Sequence, residues 1–300
     1  MSFFLTLIAA EKKLTPGHLE RVQQYLDGQA IAPAEQPVWL SAHRAADLPI
    51  ATRPHFEQMQ ALRRGLHEDR IDILVSAAES RRKTLFFADM DSTVVTSETL
   101  DELAVFANVG ERVAEITRGT MNGTIDFFEA TRLRVGMLQG LPESTLKKVL
   151  EHTEVSPGVE IALQVMSRHG VHSSIVSSGF TYFTAAIAAR CGFNDHFGNV
   201  LEIENEKLTG MVIEPILDKH AKLATLNAKA AQFGCDLNQT LAIGDGSNDI
   251  PMLQAAGLGI AYHPRPIVAE TIDNQIIHMD FTSALFAQGY TEANIRAVIN

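Results

Sequence analysis

The chain has 300 residues, 46% of them hydrophobic and 20% charged, a composition typical of globular proteins with a sizeable core. Its formal net charge is −11 and no basic run could follow a phosphate backbone, which argues against a nucleic-acid partner. The length predicts one large domain together with a smaller one or an insertion.

The N-terminal stretch MSFFLTLIAA is apolar but too short to cross a bilayer, and no positive charge precedes it as in a signal peptide. It predicts a buried strand, and we expect no membrane partner. Cys191 and Cys235 are the only cysteines. Two lone thiols in a chain of this length indicate a reducing compartment, so a cytoplasmic location is expected.

Residues 1–83 are predicted to form a separate α+β unit. Helices are predicted for TPGHLERVQQYLDG, which has Thr15 as its cap and Pro16 at its first position, and for RPHFEQMQALRRGLHED. Strands are predicted for FFLTLIAA, PVWLSAH, DLPIAT and IDILVSA. The β-α-β-β-α-β order is typical of ferredoxin-like modules and resembles an ACT-type regulatory domain. A folding or dimerisation module fits the pattern equally well, and a homodimer is one assembly that it allows.

Residues 84–300 are predicted to form an α/β domain with an open, Rossmann-like parallel sheet. Short apolar strands alternate there with amphipathic helices; the strands are LFFAD, HSSIVSS, TLAIGD, LGIAYH and IIHMD. Residues 97–153 carry only helical signals, including a capping box from Thr99 to Glu102, and predict an inserted helical cap. The stretch NVLEIENEKLTGMVI alternates around a polar turn and predicts a β-hairpin.

Two acids, Asp89 and Asp91, follow the first strand of this domain directly. They lie on one side if the chain stays extended, and carboxylates that close repel each other unless a cation or a proton is present. An isolated D-x-D is more often a pair of solvated turn acids. The deeply apolar strand before these two acids and the TVV directly after them leave no exposed loop for such a role.

Three further groups of polar residues lie near strand ends, where open α/β sheets bind their ligands. Ser177, Ser178 and Gly179 form a strand-to-helix junction that can present backbone N–H groups to an anion. Lys222 lies in a helical stretch, where a lysine is usually solvated. The stretch GDGSND brackets Asp245 with two glycines and ends in Asn248 and Asp249.

Hard oxygen ligands, an anion-binding serine and a lysine together favour Mg²⁺-assisted phosphoryl transfer. A carboxylate can act as the nucleophile of such a reaction and form an aspartyl-phosphate. The acidic balance of the chain then requires positive charge to be concentrated in the pocket that receives the anionic substrate.

The motifs DMDST, SSG, Lys222 and GDGSND, in this order and with these separations, resemble the four motifs of the haloacid dehalogenase-like phosphatases. The resemblance covers residues 85–286. It implies that Asp89 is the nucleophile and Asp91 the general acid and later the base. It also implies that Ser177 and Lys222 hold the phosphoryl oxygens. The implied Mg²⁺ ligands are Asp89, Asp245 and the backbone carbonyl of Asp91, with Asp249 in support.

The stretches TSETLDELA, ITRGTMNGTIDFFEATRLRVGML and SSGF resemble the phosphoserine phosphatase subgroup of this family. The resemblance implies phosphoserine as the small-molecule substrate, hydrolysed in the last step of serine biosynthesis. The substrate-binding residues that it implies are Glu98 for the ammonium group, Arg134 for the carboxylate, Met121 and Phe127 for the pocket wall, and Ser178 and Asn248 for the phosphate end. The chemistry agrees, since an arginine fork suits a carboxylate. Without the resemblance, Met121 and Phe127 would be assigned to the core, Arg134 to the surface and Glu98 to a first helical turn.

One residue departs from the subgroup. Its motif is usually Ser-Gly-Gly, and Ser178 stands here in place of the first glycine. A side chain next to the substrate keeps other small phosphomonoesters open, such as phosphothreonine or phosphohomoserine. A different class of function, an amino-acid sensor with an inert second domain, is disfavoured by the complete set of Asp89, Asp91, Lys222 and Asp245.

Overall fold

The computed structural model of the chain describes residues 2–121 and 124–299; the side chain of Met121 lies outside the described part. The N-terminal unit is a four-stranded antiparallel sheet with two helices, in the strand order β2-β3-β1-β4. Its elements are β1 (Phe3–Ile8), α1 (Pro16–Gly28), β2 (Val38–Ser41), β3 (Ala45–Ile50), α2 (Phe56–Leu66) and β4 (Asp72–Ala77). This is the predicted β-α-β-β-α-β order with ferredoxin-like topology.

The larger unit is built on a seven-stranded sheet with the order β11-β10-β9-β5-β6-β7-β8. Its strands are β5 (Leu85–Ala88), β6 (His172–Phe180), β7 (Asp195–Glu204), β8 (Lys207–Ile213), β9 (Thr240–Gly244), β10 (Leu258–Tyr262) and β11 (Asn274–Ile276). All neighbours pair in parallel except β8, which returns antiparallel to β7 as the predicted hairpin. The prediction of an α/β fold with a parallel sheet is confirmed.

Strand β5 lies in the middle of this sheet and is buried on both faces. Phe86 and Ala88 pack into one hydrophobic cluster, and Leu85 and Phe87 pack into another on the opposite face. The continuous apolar run LFFA follows from this position, because helices cover both sides of a parallel sheet. The covering helices are α7 (Val159–Arg168), α8 (Thr181–Cys191), α9 (Lys219–Phe233), α10 (Ile250–Ala255), α11 (Pro266–Ala269), α12 (Ser283–Ala287) and α13 (Glu292–Ile299).

The described residues between β5 and α7 form four α-helices: α3 (Thr99–Phe106), α4 (Gly110–Met121), α5 (Phe127–Gly136) and α6 (Ser144–His152). The start and the end of this stretch lie side by side, because Val95 and Val155 form an antiparallel β-bridge. The predicted capping box is wrong, because Thr99 is the first residue inside α3 and no side chain caps that helix from position 98. The N–H of Thr99 donates instead to Asp91, which precedes the helix by eight residues.

The two units meet along the edges of their sheets. The side-chain amide of Asn274 on β11 bonds both backbone groups of Val75 on β4, at 2.7 and 3.1 Å. The buried carboxylate of Asp72 accepts hydrogen bonds from the amides of residues 277–279. These bonds explain why the predicted strand IIHMD is displaced: pairing with the sheet ends at Ile276, and the following amides turn to Asp72.

None of the helices formed by residues 2–121 and 124–299 combines the length and the apolarity that a bilayer crossing requires.

We expect Asp72→Ala to destabilise the protein markedly. The substitution leaves three partly buried amide donors without their acceptor, and a fully buried unsatisfied group costs about 1–3 kcal/mol. Urea unfolding should therefore show a loss of roughly 2–4 kcal/mol in the free energy of unfolding. Glu79→Ala, at an exposed carboxylate in the segment between the units, is the matched control and should change stability by less than about 0.5 kcal/mol. Equal effects of the two variants would contradict the prediction.

Candidate active site

The carboxyl ends of three neighbouring strands, β9, β5 and β6, form the floor of a cavity of about 200 Å³. Asp245 and Asp89 directly follow β9 and β5, and Ser177 lies in β6 three residues before its end. Ten of the predicted site residues line this cavity: Asp89, Asp91, Glu98, Phe127, Arg134, Ser177, Ser178, Gly179, Asp245 and Asn248. The prediction for Met121 falls on a side chain outside the described residues.

Lys222 and Asp249 lie beneath this floor, beside Asp89. The Lys222 Nζ is 2.8 Å from Asp89 Oδ2 and 2.6 Å from Asp249 Oδ1, and the lysine side chain is 1% exposed. Burial alone would lower the pKa of Lys222, but the carboxylates of Asp249 and Asp89 outweigh it and raise the pKa. The ammonium group therefore stays charged. Asp249 Oδ2 also accepts a hydrogen bond from the Gly246 amide, so both oxygens of Asp249 are engaged.

Asp89 is held through both of its carboxylate oxygens. Its Oδ1 accepts a hydrogen bond from the Met90 amide at 2.7 Å, and its Oδ2 faces Lys222. The chain then coils tightly over Met90–Val94, with Ser92 in the left-handed region at φ 55°. Asp89 and Asp91 themselves keep extended backbone angles, φ −66° and ψ 160° for Asp89 and φ −64° and ψ 136° for Asp91, and both acids line the cavity.

The Asp91 carboxyl lies against Gly179 and the start of α3. Its Oδ1 accepts a hydrogen bond from the Thr99 amide at 2.9 Å. A Cβ on residue 179 would stand 2.6 Å from Asp91 Oδ2, so a larger residue would displace this carboxyl. Burial, with a further contribution from the nearby Glu98, raises the pKa of Asp91 to about 8. At neutral pH this carboxyl carries a proton that it can donate.

Asp245 completes a cluster of buried carboxylates with Asp89 and Asp249. One oxygen from each lies within 4.8 Å of the other two. Burial raises the pKa of Asp245 to about 6, and repulsion from Asp89 and Glu98 adds to it. Asp89 and Asp245 offer the hard carboxylate oxygens that a divalent cation takes, and Asp249, whose oxygens are engaged by Lys222 and Gly246, adds negative charge beside them. The donor set therefore fits such an ion.

The Ser177–Gly179 segment shapes one wall of the cavity. The Gly179 amide donates to the buried Ser177 Oγ at 2.8 Å, and the carbonyl of Ser178 accepts from the side chain of Asn199 at 2.7 Å. Ser178 stands where the subgroup usually has glycine, and its hydroxyl oxygen lies 3.5 Å from the side-chain Nδ2 of Asn248. Ser178 and Asn248 therefore line the same corner of the cavity.

The segment that holds α3 to α6, which we call the helical segment, contributes Phe127 and Arg134, and Glu98 directly precedes α3. Phe127 and Arg134 share a face of α5, as their spacing predicted, and both line the cavity. The Arg134 guanidinium donates to the Ala130 carbonyl and to Thr117 Oγ1, at 3.3 and 3.5 Å. Among the described residues no carboxylate lies within 4.0 Å of it, and burial lowers its pKa. An arginine in this condition is free to bind an anionic ligand.

Thr93, Arg265 and Asn199 contact predicted site residues but were not themselves predicted from the sequence. Thr93 Oγ1 donates to Asp245 Oδ1 at 3.2 Å, and Arg265 contacts both Asp245 and Glu98. Asn199 is 1% exposed and joins the Ser178 carbonyl to the Leu217 amide. Thr93 belongs to the quoted DMDST motif, so a signal for it was present; Asn199 and Arg265 stand alone in their stretches.

Buried carboxylates and a buried lysine at the carboxyl edge of an open parallel sheet are the arrangement that the sequence motifs implied. The family model for haloacid dehalogenase-like hydrolases matches residues 86–254, and the chain belongs to this family. The relatives that match most of the chain include proteins named phosphoserine phosphatase. One from Mycobacterium tuberculosis is 37% identical over 79% of this chain and 58% of its own length. One from Haemophilus influenzae is 37% identical over 73% of this chain and 70% of its own length.

The chain thus spans less than two thirds of the mycobacterial relative. A phosphoserine phosphatase of Streptococcus thermophilus is 39% identical over 67% of this chain and 94% of its own. Among solved structures, a haloacid dehalogenase family hydrolase from Salmonella enterica serovar Typhi has a TM-score of 0.82 and 28% identity, covering 96% of this chain and 98% of its own. A probable phosphoserine phosphatase from Vibrio cholerae has a TM-score of 0.75 and 27% identity, and the match covers 99% of this chain and 88% of that protein.

The raised pKa of Asp245 predicts that divalent-cation binding depends on pH. A carboxylate must lose its proton before it coordinates a cation, and the pKa of Asp245 is raised to about 6. We therefore expect the affinity for Mn²⁺ to fall as the pH drops through 6, by roughly tenfold per unit at lower pH. Calorimetric titration at several pH values, in buffers of different ionisation enthalpy, measures the affinity and the protons released.

Glu214→Gln, at an exposed carboxylate outside the cavity, is the control and should follow the same pH profile as the unmodified protein. An affinity that stays constant between pH 5 and 7 would contradict the prediction.

Proposed function

We propose that the protein hydrolyses O-phosphoserine to serine and phosphate with Mg²⁺ as its cofactor, in the cytoplasm, as the last step of serine biosynthesis. One observation carries the proposal: Glu98 and Arg134 line the same small cavity as Asp89, with Lys222 directly beneath it. Phosphoserine has an ammonium group, a carboxylate and a phosphate, and these residues offer one complementary charge for each. The similarity to proteins named phosphoserine phosphatase, which covers most of the chain, supports the assignment.

Asp89 is the nucleophile of this reaction. Its carboxylate attacks phosphorus, the bond from phosphorus to the serine oxygen breaks, and an aspartyl-phosphate forms. The Met90 amide and Lys222 fix the carboxylate in one orientation, so little reorganisation precedes attack. A solved phosphoserine phosphatase that holds a phospho-aspartyl intermediate analogue is 35% identical over 70% of this chain, with a TM-score of 0.64.

Asp91 moves the protons. Because its raised pKa of about 8 keeps it protonated at neutral pH, it gives a proton to the serine oxygen as that group leaves. The carboxylate that remains then takes a proton from the water that attacks the aspartyl-phosphate, and phosphate is released from Asp89. Gly179 allows this carboxyl to lie close to the phosphate site.

Positive charge at the phosphate end comes from Lys222, with Ser177 as a further hydrogen-bond donor to the phosphoryl oxygens. Asp89, Asp245 and the backbone carbonyl of Asp91 would hold Mg²⁺, with Asp249 supporting them through Lys222 and Gly246. Mg²⁺ supplies charge neutralisation that lets a carboxylate and a phosphate approach each other.

The amino-acid end of the substrate is bound by the helical segment between β5 and β6, which we assign as a cap over residues 97–153. The Arg134 fork takes the substrate carboxylate, Glu98 takes the ammonium group and Phe127 packs against the carbon atoms. Because the cap supplies these groups, it sets the specificity and also shields the reaction from water.

Another small phosphomonoester, such as phosphothreonine or phosphohomoserine, is the second candidate substrate. The Ser178 hydroxyl lies beside Asn248, at a position where the subgroup usually has glycine, and it alters the corner of the cavity next to the phosphate. Its effect on substrate choice depends on whether the additional methyl or methylene of these substrates fits there.

A substrate panel tests the assignment. We expect kcat/KM for phosphoserine to exceed that for phosphothreonine, phosphohomoserine and glycerol phosphate by about tenfold or more, because only amino-acid phosphates engage Glu98 and Arg134 and added carbon atoms crowd the cavity. Phosphate release in Mg²⁺, with EDTA as a control, measures it. Asp89→Asn should be inactive and so excludes contaminating phosphatases. Equal rates on all four esters would refute phosphoserine as the substrate.

Arg134→Lys should raise KM for phosphoserine by roughly tenfold, because a lysine cannot bond a carboxylate with two parallel hydrogen bonds. Arg132→Lys is the matched control on the same helix, since Arg132 is exposed and pairs with Glu214 outside the cavity. Steady-state kinetics on both variants decide the outcome. An unchanged KM in Arg134→Lys would show that the substrate carboxylate binds elsewhere.

A further inference from the structure

Arg265 enters the cavity from the loop after β10 and has no role in the reaction described above. It lies between Pro264 and Pro266, and the following proline restricts it to the extended conformation seen at φ −64° and ψ 153°. Its amide donates to the carbonyl of Asp245 at 3.1 Å. The backbone that carries the guanidinium is therefore fixed to the strand end that presents Asp245.

The guanidinium of Arg265 joins the helical segment to the floor of the cavity. Its Nη2 is 2.5 Å from Glu98 Oε1, and its Nε is 3.3 Å from Asp245 Oδ2. The side chain is 37% exposed, so one part of it is accessible from the cavity. A single planar group thus fixes the distance between an acid of the segment and an acid of the sheet.

The bonds to Glu98 leave one of its oxygens available. The Ser92 hydroxyl and Arg265 both donate to Oε1, and Oε2 accepts no hydrogen bond from the described residues. Burial, together with repulsion by Asp89 and Asp101, raises the pKa of Glu98, and the Ser92 hydroxyl and Arg265 oppose that rise. Without Arg265, Glu98 would lie near other acids with only a hydroxyl to orient it.

We propose that Arg265 is a positioning residue for substrate selection: it holds Glu98 beside the floor of the cavity so that Oε2 accepts the ammonium group of the substrate. The inference rests on the proposed function, because it assumes a substrate that carries an ammonium group. Arg265 does not touch the reacting atoms. Its removal therefore acts through Glu98, and the affected quantity is the preference for an ammonium-bearing ester over the same ester without that group.

The experiment compares phosphoserine with 3-hydroxypropionate phosphate, which keeps the carboxylate and the phosphate but lacks the ammonium group. Calorimetry in Mg²⁺ on Asp89→Asn, which blocks turnover, measures the Kd ratio of the two ligands. We expect Arg265→Gln in this background to reduce the preference for phosphoserine by about tenfold or more, since a charge-assisted hydrogen bond is weakened. The same variant of the active enzyme should raise KM for phosphoserine more than it lowers kcat.

Four variants show whether the effect runs through Glu98. Arg265→Lys keeps the charge but cannot bridge both acids, so it should retain only part of the preference. Glu98→Gln should abolish the preference, and adding Arg265→Gln to it should cause no further loss. Arg132→Gln removes an equal charge and a surface ion pair to Glu214, and it should leave the preference unchanged. Circular dichroism confirms that each variant is folded.

Two negative outcomes are distinguishable. If Asp89→Asn alone shows no preference for phosphoserine over its ammonium-free analogue, the proposed function and this inference both fail. If Asp89→Asn has the preference and Arg265→Gln retains it, or if it is lost equally in Arg132→Gln, the inference on Arg265 fails alone.

Discussion

The ion triad of Lys222 with Asp89 and Asp249 is the interaction on which the rest of the site depends. Its three members are almost fully enclosed, with side-chain exposures of 1%, 8% and 0%. Loss of one partner from a buried set of this kind leaves an uncompensated charge and costs about 3–5 kcal/mol. The triad therefore ties the end of β5, the helix α9 and the loop after β9 to one another, and this common position is what lets the acids around it form a single cavity.

Much of this arrangement could be predicted from the sequence because it follows from strand order. Asp89, Ser177 and Asp245 each end an apolar run, and parallel strands with right-handed crossovers present such ends at one edge of a sheet. Lys222 is different, since a helical lysine is ordinarily exposed, and only its resemblance to a family motif identified it. Phe127 and Arg134 came from helical periodicity joined to the same resemblance.

The remaining features depend on contacts between loops that no local pattern records. Arg265 is a lone arginine in its stretch, and its two acidic partners lie 20 and 167 residues away in sequence. The end of β11 was predicted too late because Asp72, from the other unit, takes the next amides. The capping of α3 failed for the same reason, since Asp91 replaced the expected local partner. In the last two cases a carboxylate outside the element overrides a local propensity.

The side chain of Asn274 has a consequence for the outer strand of the large sheet. By bonding both the N–H and the C=O of Val75, it behaves as one residue of an additional strand and closes the gap between β11 and β4. An edge strand left bare is a template for pairing with another chain, and such pairing leads to aggregation. The N-terminal unit thus covers the edge strand β11 of the seven-stranded sheet. A shortened chain without that unit would expose this edge and would need another way to avoid aggregation.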